Sequence, residues 1–180
     1  MNIVWAVSNT YPKKSINPED LREIGSLWGG WKSYRSWATD NVICHDLKKA
    51  KDLVKRKFQE KTNFYIPKSF YPEVGRPTNV KLYDGDFPGT IPQPEELIAL
   101  HLCSQVADVV LLLGYDLSEP KNKKNLPDYK NYISALRGAL ELYEDTQFVL
   151  VNMRSDLPEQ LTEYTNLTVD TLENVIDILS

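Results

Sequence analysis

Apolar runs without polar alternation divide the chain and predict its buried β-strands. The most apolar run is Val109–Leu113, and similar runs occupy Ile3–Val7, Asn41–Cys44 and Gln147–Val151. A strand that is apolar on both faces is typical of the interior of a parallel sheet. Further short strands are predicted at residues 27–28, 64–66, 80–83 and 167–169.

Segments with helical spacing separate these runs. Over residues 47–61, apolar positions recur every three or four residues among lysines, which predicts an amphipathic helix. A second helix is predicted over 95–106, with Pro94 beside its first turn. Others are predicted at residues 18–24, capped by Ser15 or Asn17 and ended by Gly25, at 129–143, and from Thr171 onward.

Strands that alternate with helices in this way predict an α/β fold. The expected architecture is a Rossmann-like three-layer sandwich, with a mostly parallel sheet and helices on both faces. At 180 residues and 42% hydrophobic content, the chain is expected to form a single domain over 1–180. The segment 62–94 holds six prolines and is expected to be rich in loops.

Charge and composition narrow the function classes. The net charge of -4 gives no general basic field for a nucleic acid, so nucleic-acid binding is disfavoured. Neither a signal peptide nor a membrane span is indicated, which predicts a cytoplasmic protein, in the host cytoplasm if the source is viral. Cys44 and Cys103 lie in apolar runs and read as buried free thiols, although a bridge between them stays open.

Polar clusters follow three of the predicted strands. They are Ser8-Asn9-Thr10, His45-Asp46 and Gly114-Tyr115-Asp116. In open parallel sheets, ligands bind beyond the carboxyl ends of the strands. The first turn could present backbone N–H groups to an anion, Gly114 would allow close approach, and Asp46 or Asp116 could accept from a ribose hydroxyl or hold a metal. The alternative is that these acids cap helices and close turns.

The two histidines receive different interpretations. His45 could act as a general acid or base whose tautomer Asp46 sets, or it could be structural, because adjacent strand residues point to opposite sides. His101 falls within a predicted helix and is expected to be packed or on the surface. The protease, hydrolase and P-loop motifs HExxH, GxSxG and GxxxxGK[ST] are absent from the sequence.

The stretch from Gly25 to Asp46 contains three of the four tryptophans. Trp28, Trp31 and Trp37 recur with Tyr34 at a spacing of three, which predicts an aromatic stripe along one helix face. The stripe could pack in the core, or stack on a base while Lys32 or Arg35 meets a phosphate, or contact another protein.

Parts of the sequence resemble a known group of proteins. IVWAVSNTYPKKSINPEDLREIGSLWGG, followed by DNVICHD, resembles the opening of Rossmann-like proteins of phages and bacteria. That group includes relatives of the archaeal 6-hydroxymethylpterin pyrophosphokinase and one family of bacterial sialyltransferases. ADVVLLLGYDLS resembles their later strand, which ends in glycine, an aromatic residue and Asp. Where their first strand leads into a glycine-rich phosphate loop, this chain has Ser8-Asn9-Thr10.

These observations give a first hypothesis of a phage or bacterial protein that binds a nucleotide or a nucleotide-activated small molecule. If it is an enzyme, a group transferase is expected, with a nucleotide and Mg²⁺ as candidate cofactors. The candidate catalytic residues are His45, Asp46 and Asp116. The candidate ligand-binding residues are Ser8, Asn9, Thr10, Gly25, Ser26, Trp31, Lys32, Arg35 and Gly114.

A second hypothesis is a non-catalytic module whose tryptophan patch contacts another protein, including a second copy of the chain. A third, single-stranded nucleic-acid binding, rests on the stretch around Trp31 and Lys32 and is opposed by the acidic total.

Overall fold

The computed structural model describes residues 1–8, 16–85, 94–152 and 156–179, and these form an α/β fold around one parallel sheet. Its strands are β1 (Ile3–Val7), β2 (Ser26–Gly30), β3 (Asn41–Ile43), β4 (Asn63–Pro67), β5 (Val80–Tyr83), β6 (Val109–Leu113), β7 (Gln147–Val151) and β8 (Leu167–Asp170). Its helices are α1 (Pro18–Ile24), α2 (Trp31–Trp37), α3 (Leu47–Lys55), α4 (Glu95–Ser104), α5 (Leu126–Leu142) and α6 (Leu172–Leu179).

The strands lie in the order β5-β4-β3-β2-β1-β6-β7-β8, and every pairing is parallel. The chain therefore builds outward from β1 to one edge, returns through α4, and builds outward again from β6 to the other edge. The strand order reverses between β1 and β6, which makes their carboxyl ends the switch point of the sheet.

Side chains of β1 alternate between two hydrophobic clusters. Val4 and Ala6 pack with residues of α4 and α5, whereas Trp5 and Val7 pack with residues of α1, α2 and α6. Successive strand residues point to opposite faces, so the two faces of β1 meet different helices. The continuous apolar runs of the central strands follow from this burial, because both faces need apolar side chains.

Helix α4 lies at the centre of the larger cluster. Every residue from Leu97 to Ser104 is buried, including His101. A helix that is buried all round needs no polar face, which explains why its sequence is apolar in every direction. His101 was predicted to be either packed or on the surface. It is packed, with its ring centroid 5.8 Å from that of Tyr143.

The predicted amphipathic helix after β3 is shorter than its pattern indicated. It ends at Lys55, because Lys57 takes a left-handed conformation with φ of 55°, and Phe58 continues in a separate 3₁₀ turn. Phe58 still packs into the third cluster with Ala50 and Leu53 of the helix. The apolar spacing thus reports burial on one face rather than an unbroken helix.

The prediction that the tryptophans form an aromatic stripe along one helix face is wrong. Trp28 lies in β2 and packs in the cluster of α4, whereas Trp37 lies in α2 and packs in the cluster of β1, α1 and α6. Trp31 lies between them and contacts the third cluster, around α3. Strand β2 ends at Gly30 and helix α2 begins at the next residue. The regular spacing of three between aromatic residues therefore runs across a strand and a helix.

Both cysteines are buried and free, as predicted. Burial raises the pKa of the Cys44 thiol to about 12 and also raises that of Cys103. None of the described helices combines the length and apolarity needed to cross a membrane.

Candidate functional site

The switch point of the sheet brings Ser8 and Gly114 together. Ser8 directly follows β1 and Gly114 directly follows β6. The backbone N–H of Ser8 donates to the carbonyl of Leu113 at 2.9 Å, which holds the two strand ends side by side. Gly114 has a φ of 79°, a conformation that favours glycine, so the turn after β6 depends on this residue. The predicted proximity of these two residues is confirmed.

Glu96, in the first turn of α4, joins this pair. Its Oε2 accepts a hydrogen bond from Ser8 Oγ at 2.7 Å, and its side chain also accepts one from Tyr132 of α5. Tyr115 Oη donates to the Glu96 carbonyl at 2.9 Å. Burial and the nearby carboxylate raise the pKa of Tyr132 well above its ordinary value, so its phenol stays protonated and remains a donor.

Glu95, the preceding residue, contacts the ends of the neighbouring strands β2 and β3. Its Oε2 accepts from the backbone N–H of Trp31 at 3.0 Å, and its Oε1 accepts from that of His45, also at 3.0 Å. One carboxylate therefore binds the turns that follow β2 and β3. Burial raises its pKa, partly offset by these two amides and by the charge of Lys32.

Gly30 gives Glu95 the space to reach those amides. A Cβ at position 30 would lie 2.7 Å from the Glu95 Cβ, closer than real Cβ atoms come to one another. The close approach of α4 to the end of β2 therefore requires the absence of a side chain at Gly30.

His45 is bound to Tyr83, not to Asp46. Its Nδ1 lies 2.8 Å from Tyr83 Oη at the end of β5. The Asp46 carboxylate instead caps α3 by accepting from the backbone N–H of Lys49 at 2.9 Å. Of the two interpretations of Asp46, helix capping is the one observed. Burial lowers the pKa of His45, which keeps its imidazole neutral near pH 7.

Asp116 lies close to the switch point but is exposed. Its Oδ1 accepts from the backbone N–H of Ser118 at 2.9 Å, which closes the turn after β6.

The Trp31 ring packs instead of presenting a free face. It stacks on Tyr34 with centroids 5.7 Å apart, meets Phe58 edge-on at 5.3 Å, and lies 4.9 Å from the Lys49 ammonium. Of the interpretations considered for the stripe, core packing is the one observed for this ring. Lys32 and Arg35 are both exposed on α2, and Lys32 is the nearer of the two to the strand ends.

The prediction that Gly25 and Ser26 line the same rim is wrong. They precede and begin β2, so they lie at its amino end, on the opposite edge of the sheet. A Cβ at Gly25 would clash with the carbonyl of Ile3 at the start of β1. Asn9 and Thr10 lie outside the described residues.

Sequence reasoning missed the residues that organise this edge. Glu95 and Glu96 resemble the acids that commonly favour a helix N-terminus, so their pattern has an ordinary explanation. Their partners lie 50, 64 and 88 residues away, at distances that no local motif reveals. Tyr83 and Tyr132 gave no signal for the same reason.

Comparison with known proteins adds no relative: no family model, curated protein or solved structure matches the chain. Within residues 1–8, 16–85, 94–152 and 156–179, no group of three or more His, Cys, Asp or Glu side chains is placed to hold a metal ion. The site is therefore defined by geometry alone.

Proposed function

We propose that this chain binds a nucleotide or a nucleotide-activated small molecule in the crevice at the carboxyl ends of β1 and β6. The observation that carries the proposal is the convergence of Ser8, Glu96 and Gly114 at the point where strand order reverses. Open parallel sheets bind ligands in this crevice because side chains and free backbone groups from several turns meet there.

The residues of the crevice suit a ligand with hydroxyl groups and a phosphate. The Glu96 carboxylate, oriented by Ser8 and Tyr132, can accept hydrogen bonds from a ribose or from a base amino group. The bare backbone at Gly114 admits a bulky group, and the exposed ammonium of Lys32 offers a charge to a phosphate. The exposed carboxylate of Asp116 can accept from a sugar hydroxyl or meet Mg²⁺ carried by the ligand.

A group transferase is the reaction class that this arrangement favours if the protein is an enzyme. His45 is then the candidate acid or base, because a neutral imidazole near pH 7 can take a proton. It lies at the end of β3, two strands from β1, so a ligand that reaches both would extend along the carboxyl edge past Glu95.

The hypothesis of a protein-contact module required an exposed tryptophan patch, and the tryptophans are not exposed. Trp28 and Trp37 are buried, with 6% and 1% of their surface exposed, so the tryptophans form no contiguous exposed patch. A ligand in the crevice is therefore the better supported function.

Thermal unfolding with nucleotides, nucleotide sugars and pterins, with and without Mg²⁺, tests the proposal. A ligand at a hundredfold its Kd stabilises the folded state by about 2.7 kcal/mol. Glu96→Gln keeps one acceptor oxygen at this position but removes the charge, so we expect it to weaken binding about tenfold or more.

Glu163→Gln is the matched control, because Glu163 forms an exposed ion pair with Arg137 and precedes β8, at the opposite edge of the sheet. The unliganded melting temperatures of both variants report any effect on folding. Equal binding by the two variants, or no stabilisation by any ligand of these three classes, would contradict the proposal.

A further inference from the structure

His45 and Tyr83 meet across three neighbouring strands at the carboxyl edge of the sheet. Ile43 of β3 is paired with Tyr65 of β4. Tyr83 of β5 is paired with Pro67, two residues further along β4. His45 follows Ile43 by two residues, which brings it level with Tyr83. The two side chains bridge the end of β4, with Nδ1 of the histidine 2.8 Å from the phenol oxygen.

Packing restrains both members of this pair. Only 4% of the Tyr83 surface is exposed, and its side chain packs in the cluster of α4. The centroid of the His45 ring lies 6.2 Å from that of Tyr83 and 5.9 Å from that of Phe70. The backbone N–H of His45 is held by the Glu95 carboxylate, so the backbone and the ring of the histidine are both fixed in place.

The chemistry of the two groups decides which one donates. A phenol is a stronger acid than a neutral imidazole N–H, and an imidazole nitrogen is a stronger base than a phenol oxygen. The favoured hydrogen bond therefore runs from the Tyr83 hydroxyl to Nδ1 of neutral His45. Burial and the nearby Glu95 carboxylate raise the pKa of Tyr83, so its hydroxyl keeps its proton. Burial lowers the pKa of His45, so the ring is the neutral acceptor that this bond requires near pH 7.

The other ring nitrogen, Nε2, then carries the single proton of the neutral ring. Within the described part of the chain, no group forms a hydrogen bond with Nε2, and the His45 side chain is only partly buried. A ligand at the carboxyl edge can therefore approach Nε2, where it meets an N–H donor.

We propose that Tyr83 is a positioning residue that fixes the proton of neutral His45 on Nε2, and that this N–H donates to a phosphate oxygen of the ligand. Phosphate oxygens suit such a donor because they accept hydrogen bonds and carry negative charge. Of the roles considered for His45, this arrangement favours that of a donor over that of a base. The contact with phosphate rests on the proposed function, whereas the position of the proton is a property of the unliganded protein.

A ¹⁵N NMR spectrum of the unliganded protein at pH 7 tests the position of the proton. In long-range proton–nitrogen correlations, Nδ1 of His45 should resonate as an unprotonated nitrogen and Nε2 as a protonated one. His101 is the only other histidine in the sequence, and His101→Gln removes its signals. A protonated Nδ1 in His45 would overturn the proposal, and this measurement needs no change at Tyr83.

Tyr83→Phe tests whether the phenol sets the proton. The phenol O–H favours the neutral ring, so its removal should raise the midpoint of the His45 titration by about 0.5–1 pH unit. A bond in the other direction, from Nδ1–H to the phenol oxygen, would favour the charged ring, and its removal would lower the midpoint. A lowered or unchanged midpoint would therefore overturn the role of Tyr83.

Tyr65→Phe is the matched control, because it removes a phenol from the neighbouring strand that forms no hydrogen bond with His45. We expect it to leave the midpoint unchanged. An equal rise in both variants would show that the effect does not depend on the Tyr83 hydroxyl, and would overturn its role. Both variants keep the aromatic ring, so both should fold, as circular dichroism will show.

Inorganic pyrophosphate tests the contact with the ligand. Its addition should shift the Nε2 signals of His45 saturably, and Tyr83→Phe should weaken this binding about two- to fivefold. Nε2 signals that do not move would overturn the contact with phosphate, while the position of the proton would stand. Failure of the proposed function is measured separately, by nucleotide binding in Glu96→Gln, so the two failures are distinguishable.

Discussion

At each edge of the sheet a carboxylate accepts hydrogen bonds from backbone amides, but the partners of its negative charge differ. At the amino edge, Asp40 Oδ2 accepts from the N–H of Leu27 at 2.8 Å while Oδ1 pairs with Arg22 Nε at 3.0 Å. At the carboxyl edge, Glu95 accepts from two amides, and burial raises its pKa, an effect that the two amides and the charge of Lys32 offset only in part.

This difference separates a structural role from a poised one. Asp40 holds a turn while its charge is paired with a guanidinium. A buried acid whose pKa is raised is costly in its charged form, and such groups concentrate at functional sites. The edge that holds this second kind of acid, Glu95, is also the one that contains the switch point.

The largest expected effect is at the amino edge. Asp40→Ala removes the acceptor for Leu27 N–H and leaves Arg22 without this partner, so we expect the free energy of unfolding to fall by about 2–3 kcal/mol. Urea denaturation measures it. A loss no larger than that of Asp52→Ala, which removes exposed ion pairs on α3, would show that the carboxylate is not needed at this edge.

A smaller effect is expected at the carboxyl edge. Glu95→Gln keeps one acceptor oxygen but faces its amide NH₂ toward one of two backbone donors, for a loss of about 1 kcal/mol at pH 7. The substitution also removes a buried charge, which limits the loss in the free energy of unfolding. Urea denaturation beside Asp40→Ala checks this order, and a larger loss for Glu95→Gln would reverse the comparison.

The pH dependence of that variant sharpens the contrast. The folded-state pKa of Glu95 is raised, so its contribution to stability is fully present below the pKa of an unfolded glutamate and is lost as pH rises through the folded value. In Glu95→Gln, this loss of stability with rising pH should be absent. If the difference in stability between wild type and variant is the same at pH 4 and pH 7, the raised pKa is wrong.

At pH 7 the smallest effect concerns the histidines, which are neutral there and lower stability only as the pH falls. Burial lowers the pKa of His45, and lowers that of His101 to about 4, so protonation of either favours unfolding below about pH 6.5. An NMR titration of the ring protons should give two midpoints below 6.5, with that of His101 the lower. His101→Gln assigns the signals, and a His45 midpoint at or above 6.5 would contradict the burial described here.

The positions of the strands were accessible from sequence because their signals are local, whereas the order of the strands was not predicted. Val109–Leu113 and Gln147–Val151 are apolar on both faces, and both are strands at the predicted bounds. The tryptophan spacing failed because the change from β2 to α2 falls at Gly30, inside an unbroken aromatic period. A spacing of three does not by itself distinguish a helix from a strand joined to a helix.

The candidate site was only partly accessible. Ser8 and Gly114 were found because each directly follows an obvious strand, and the rule for parallel sheets brings such positions together. Glu95 and Glu96 were not, because their partners depend on which strands α4 crosses. Gly25 and Ser26 were assigned to the rim although the strand predicted at 27–28 follows them, and the same rule for parallel sheets puts residues that precede a strand at the opposite, amino edge.

The adjacency of Glu95 and Glu96 has a consequence for how this sequence can change in evolution. Consecutive helical residues point about 100° apart, and here one reaches β1 while the other reaches the turns after β2 and β3. Insertion of one residue between Glu96 and Leu97 would rotate both carboxylates by about 100° relative to the buried part of the helix, away from their amides and hydroxyl together. Changes of length are therefore expected to accumulate upstream of Pro94, while this short stretch of the helix keeps its length.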